Sequence, residues 1–167
     1  MKLRIFISSV QREFATERQA LKSYILSDAL FNRFFEVFLF EDLPAVDRRA
    51  DALYIAEVAR SDLVVFLLGD EYGWEDADGV SPTHREFNEA SLRGKPRLVF
   101  VKGADDKKKH PKMQALIAEA TAQLVRRRFT DIAQLIPAQY ASLVDYLAVK
   151  ELLRSGPFHA SACPHTT

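Results

Sequence analysis

The chain is poor in the features that most quickly narrow a protein's chemistry. Cys163 is the only cysteine in 167 residues, so no intramolecular disulfide can form, and that usage fits a reducing cytoplasm. The four histidines, His84, His110, His159 and His165, show no metal-ligand spacing, so no metal site is expected. There is no Walker loop and no Gly-x-Gly-x-x-Gly loop, which argues against an ATPase and a Rossmann dehydrogenase. The longest apolar run, Leu63 to Leu68, is far short of the roughly 20 residues that span a bilayer. Lys2 and Arg4 alternate with Leu3 and Ile5, so the N-terminus reads as a strand and not as a secretory signal. Charge of one sign is also missing, since 23 basic and 23 acidic side chains cancel. That balance lacks the electrostatic footprint of a protein built to grip nucleic acid or an anionic membrane. A cytoplasmic protein with no membrane and no direct nucleic-acid partner is expected.

What remains is ample material for one core. A hydrophobic content of 48% with 12 phenylalanines suits a single domain that folds without a disulfide or metal staple. Lys2 to Ile7 reads as a buried first strand that stops at the turn-forming pair Ser8-Ser9. From about Phe14 the positions Phe14, Leu21, Tyr24, Ile25 and Ala29 recur at helical spacing. Glu36 to Phe40 is a second strand, closed by Glu41-Asp42-Leu43-Pro44, and Ala50 to Arg60 a second helix. Asp62 to Leu68 is apolar on both faces and belongs at the centre of a parallel sheet. Ser81 at N-cap and Pro82 at N1 start a helix that runs to about Arg93. Arg97 to Val101 is the next strand, Pro111 to Val125 a helix and Arg126 to Phe129 an edge strand. Asp131 to Leu153 is helical with a break near Pro137, and residues 156–167 read as a flexible tail or truncated linker after a domain at 1–155. Strands alternating with helices predict a three-layer α/β/α sandwich on a mainly parallel sheet of about five strands.

In such a sheet ligands bind beyond the carboxyl ends of the strands, where strand order reverses. Three polar loops should meet there: Ser8-Ser9, Glu41-Asp42, and Asp70 to Trp74 with its following helix. On that helix Glu86, Ala90 and Gly94 are four apart. The small residues would then pack on the sheet while Glu86 points into the cleft. A glutamate early in a helix is also favoured by the macrodipole alone.

Residues 81 to 101 resemble the Glu-x-x-x-Ala-x-x-x-Gly-Lys-Pro block of nucleoside 2-deoxyribosyltransferases, in which a strand-to-helix loop precedes a catalytic Glu. Over residues 1 to about 155 the chain resembles the domain of unknown function 4062 family, found at the N-termini of bacterial regulators and large NTPases. Ile5-Phe6-Ile7-Ser8-Ser9, Glu13, Glu17-Arg18, Ser61-Asp62 through Leu68-Gly69, Tyr72-Gly73-Trp74, Ser81, Thr83, Glu86 and Gly94-Lys95-Pro96 carry that resemblance. The family is similar to TIR (Toll/interleukin receptor) and deoxyribosyltransferase folds, which act at N-glycosidic bonds, many TIR members on NAD. The resemblance implies a flavodoxin/TIR-like sheet and a nucleotide-type small molecule, NAD or a nucleoside, as substrate, with no cofactor required.

It also implies that Glu86 attacks or stabilises C1′ as the C–N bond breaks. Ser8 and Ser9, with the amides of the first helix, would face phosphate or ribose hydroxyls, or else cap that helix or make a turn. Tyr72 and Trp74 would stack on a base, or anchor their loop. Asp42, Ser81 and Thr83 complete the candidate ligand-binding set. The acidic residue for a sugar hydroxyl would be Asp70, Asp76 or Asp78. Two departures stand against turnover: Gly79-Val80-Ser81-Pro82-Thr83 occupies the place of the transferases' Asp-x-Gly-Thr, and Trp74 lies twelve positions before Glu86, not close before it as in TIR domains. The alternative is a non-catalytic sensing or protein-interaction module that self-associates or serves other domains of a longer chain. The runs Lys107-Lys108-Lys109-His110 and Arg126-Arg127-Arg128 read as solvated charge.

Overall fold

A computed structural model of the chain describes residues 1–153, so the expected tail at 156–167 lies outside the described residues. Five strands form one sheet in the order β2-β1-β3-β4-β5, every neighbouring pair parallel. They are β1 (Leu3–Ser9), β2 (Phe35–Phe38), β3 (Leu63–Leu68), β4 (Arg97–Lys102) and β5 (Arg126–Phe129). The helices are α1 (Gln11–Ser27), the single turn α2 (Phe31–Phe34), α3 (Ala50–Arg60), α4 (Pro82–Leu92), α5 (Pro111–Gln123) and α6 (Ile132–Val149). This is the expected three-layer sandwich, and its strand order is the flavodoxin-like one.

Strand alternation sorts the core into two halves. Ile5, Ile7, Leu63, Val65 and Leu67 face α1 and α6, packing with Phe14, Leu21, Leu143 and Leu147. Phe6, Val64, Phe66 and Leu68 face the other way, onto Val58 of α3, Phe87 and Ala90 of α4 and Met113 of α5. All six residues of β3 are buried, as its unbroken apolar run requires of the central strand. β5 stands at the sheet edge, and Ala50–Arg60 is helical over the expected span.

Several boundaries differ from expectation, among them β2, which spans Phe35–Phe38 where Glu36 to Phe40 was expected, because Phe40 begins a short helical turn. Ser8 and Ser9 do not form a turn: they are the last two residues of β1, in register with Phe66 and Leu67. The longer partner strand extends the ladder through them. Pro137 does not break α6. It sits in the second turn, where its missing N–H costs one bond to the exposed Ala133, whose carbonyl can turn to water. The first helix starts at Gln11, three residues early, but its backbone is kinked at Phe14 (φ −113°, ψ 21°). The regular helical run thus begins where the periodicity places it.

The loop leaving β3 is held by α1. The Glu13 carboxylate accepts the backbone N–H groups of Asp70 at 2.5 Å and Glu71 at 2.9 Å. Gly69 lies beneath this latch, where a Cβ would collide with the Glu13 carboxylate and lie 2.7 Å from the buried Phe14 ring. Gly69→Ala should therefore destabilise the fold by about 1–3 kcal/mol, read as a lowered urea midpoint at unchanged m-value.

Candidate active site

The order of the sheet reverses between β1 and β3, and a cavity of about 180 Å³ opens there. Its wall is drawn from Ser8 and Ser9 of β1, Gln11 and Arg18 of α1, Phe40 after β2, Tyr72, Gly73 and Trp74 after β3, and Thr83 and Glu86 of α4, while the expected Glu41-Asp42 loop contributes neither of its residues. Tyr54 of α3 also lines it, stacked on Phe40 with ring centroids 4.0 Å apart.

Glu86 is aimed inward because of how α4 is built. Ser81 caps the helix by accepting the His84 N–H at 3.3 Å, and Pro82 occupies the first turn. Thr83, Glu86, Phe87 and Ala90 then share the buried face. Glu86 is only 3% exposed. The Ser8 hydroxyl donates to its carboxyl group. Burial pushes the Glu86 carboxyl up to about 8, opposed by the Ser8 hydrogen bond and the Arg18 charge. At neutral pH the group is therefore mainly protonated.

Arg18 is the fixed cation of the site, 1% exposed. Its Nε and one Nη hold Glu41 in a two-pronged pair at 2.8 and 2.6 Å. The other Nη donates to the Ile7 carbonyl and to Ser9 Oγ, both at 3.0 Å. The Arg18 hydrogen bonds hold Glu41 below the usual carboxylate range, against an opposing effect of burial. The Tyr54 phenol is raised, first by burial and then by the negative charge of Glu86.

The expected residues divide cleanly. Ser8, Ser9, Tyr72, Trp74, Thr83 and Glu86 meet at the cavity. Ser81 is buried behind it as a helix cap. Asp42 pairs with Lys22 at 2.5 Å, away from the wall. Asp70 is exposed and pairs with Lys109 at 3.1 Å, in a shallower depression beside the cavity. Asp76 and Asp78 are both held by Arg85. No cap role remains for Ser8 or Ser9, since α1 is entered through Val10 without a side-chain cap. Tyr72 serves its loop as well as the wall: its hydroxyl is 2.8 Å from His84 Nδ1 and its ring stacks on His110. Trp74 is 75% exposed at the mouth.

Sequence reasoning missed Phe40 and Tyr54 as site residues, placed Glu41 on a converging loop but chose Asp42 beside it for the ligand-binding set, and named Arg18 without a role. The signal for Arg18 was a charged residue on the apolar face of an amphipathic helix. The expectation of solvated charge fails at Lys109, which is 5% exposed and donates to the Lys102 carbonyl at 2.5 Å. Arg128 likewise makes a two-pronged pair with Asp106 at 3.0 and 2.6 Å. Among the described residues no group of His, Cys, Asp and Glu side chains is arranged to hold a metal, and no helix is long and apolar enough to cross a membrane.

A doubly wound α/β domain with a buried carboxyl group at its switch point is thus the class that fold and site define. The chain matches the family described as Domain of unknown function (DUF4062) over residues 4–144 and belongs to that family. Its fold is similar to that of a CMP N-glycosidase from Clostridium botulinum, with TM-score 0.50 and 15% identity over 84% of this chain and 98% of that one. It is also similar to flavodoxin 1 from Bacillus cereus, with TM-score 0.48 and 15% identity over 88% and 99% of the two chains. No curated protein matches it in sequence.

The raised Glu86 pKa has a signed consequence for stability. Between the ordinary carboxylate range and about pH 8 the folded state holds a proton that the unfolded chain releases, so stability falls as pH rises, by up to about 1.4 kcal/mol per unit. Glu86→Gln should remove that slope and be the more stable protein at pH 8, checked by urea unfolding of both proteins from pH 5 to pH 9.

Proposed function

We propose that the cavity binds an N-glycoside of nucleoside or nucleotide type and that Glu86 cleaves its glycosidic bond. The observation that carries this reading is a buried carboxyl group at the switch point, hydrogen-bonded by Ser8 and walled by Tyr54, Tyr72 and Trp74. Its chemistry suits a reaction that develops positive charge. As the C1′–N bond breaks, the electron pair leaves with the base and C1′ becomes oxocarbenium-like. An ionised Glu86 is costly in the empty cavity, and a cation formed beside it offsets that cost at the transition state alone. Water then supplies the oxygen that bonds C1′, and its proton ends on the departing base or on solvent. Ser8 holds the carboxylate in place, and Arg18 with Glu41 keeps the end of β1 rigid. The fold similarity to a CMP N-glycosidase supports an N-glycoside reading at the level of architecture.

A second reading draws on the protonated state of Glu86 at neutral pH. A neutral carboxyl group is a hydrogen-bond donor, which suits a module that holds a ligand and signals its presence without turnover. The two readings separate on product. Incubation with NAD, NADP and a set of nucleosides and nucleotides, followed by chromatography with mass detection, should show released base or nicotinamide. In the wild type kcat/KM should rise with pH and level off above about 8, because the ionised form of the free enzyme acts. Glu86→Gln should lower release by at least about 10³-fold. Saturable binding with no product would leave the sensing module, and undiminished release by Glu86→Gln would remove the mechanism.

A further inference from the structure

The charges around the cavity specify more than its chemistry. Resting on the N-glycosidase reading, we infer that the ligand is an uncharged nucleoside, without a 5′-phosphate, and not NAD or another nucleotide. Among the described residues the cation in the cavity wall is Arg18, and four of its five N–H donors are already directed to Glu41, Ser9 and the Ile7 carbonyl. In and around the neighbouring depression, Arg12 pairs with Glu71 at 2.6 Å, Lys109 with Asp70 and Lys112 with Glu75. Each of these cations is thus answered by a carboxylate. A phosphate entering the cavity would find Arg18 already paired with the Glu41 carboxylate, so the charge it brings would have no uncommitted cation in the wall to answer it.

The N-terminus of α1 does not reverse this balance. Glu13 in its first turn sets a negative charge against the helix dipole, and the kink at Phe14 takes that turn out of line with the rest of the helix. What the cavity offers in quantity is hydroxyls and rings: Ser8, Ser9 and Thr83 for sugar hydroxyls, Tyr54 and Trp74 for a base.

The test compares matched pairs. Cytidine, uridine and adenosine, with their 2′-deoxy forms, are set against their 5′-monophosphates and NAD, with released base measured at low ionic strength. The expected result is a kcat/KM at least about tenfold higher for each nucleoside than for its monophosphate. Equal or faster release from CMP, from another monophosphate or from NAD would overturn the inference while leaving the glycosidase reading intact. If no compound releases base, the glycosidase reading fails and calorimetric titration decides the inference: tighter binding of nucleosides sustains it, and tighter binding of monophosphates, or of neither, ends it. Glu41→Gln supplies a second, electrostatic arm. With its carboxylate partner neutralised, Arg18 can meet a phosphate, so the preference for nucleoside over monophosphate should shrink severalfold. An unchanged ratio in a folded Glu41→Gln protein would overturn the electrostatic account.

Discussion

The buried Arg18 guanidinium is the constraint around which the carboxyl edge of the sheet is arranged. A charge in so dry a position is tolerated only if its donors are satisfied, because an unpaired ion inside a protein costs several kcal/mol. Arg18 meets that demand by binding three groups on two separate pieces of chain: the carbonyl of Ile7 and the hydroxyl of Ser9 on β1, and the carboxylate of Glu41. It thereby ties α1 to the end of β1 and to the exit of β2. The cavity exists because these segments are held apart at the switch point while their ends are pinned. The same positive charge lowers the cost of ionising Glu86, though burial still dominates.

The pairing of Ser8 with Glu86 and Ser9 with Arg18 follows from the period of a strand. Consecutive residues of β1 face opposite layers, so even-numbered Ser8 follows Phe6 toward α4, and odd-numbered Ser9 follows Ile7 toward α1. Two identical residues thus serve two different charged partners across the sheet. Had the pair formed a turn, neither alternation nor register would have separated them. The extra ladder positions opposite Phe66 and Leu67 are what assign one serine to the carboxyl group and the other to the guanidinium.

Most of the architecture was legible in the sequence because its signals are local. The apolar run at Leu63 to Leu68, the Ser-Pro start of α4 and the spacing of Glu86, Ala90 and Gly94 each act through neighbours in the chain. Ser8, Ser9, Tyr72, Trp74, Thr83 and Glu86 could be placed at one cleft from topology alone. The rest depends on long-range partners that no local pattern carries. Lys109 looks like one of a run of solvated lysines, yet it is buried by a carbonyl from β4 and a carboxylate after β3. Asp42 and Asp70 lie on the right loops, and their lysine partners draw both away from the cavity. Glu41 differs from Asp42 by one position, and only the short helical turn Phe40–Asp42 decides which of the two carboxylates meets Arg18.

The burial that would make Glu86 useful also makes it a liability to the fold, and these are one physical fact. A carboxyl group on the surface would ionise freely, add nothing to the cost of unfolding at high pH, and respond little to a cation formed nearby, because water would already have solvated it. Enclosed by Phe6, Tyr54 and the α4 face, it responds strongly to whatever charge appears in the cavity. Ser8 moderates that state without abolishing it, since one hydroxyl donor lowers the pKa while burial keeps it near 8. The site is therefore poised: neutral when empty, and able to ionise when an electron-poor centre is brought against it. Glutamine or leucine at this depth would spare the fold the cost of a buried ionisable group, and that cost is the same property that makes the site responsive to charge.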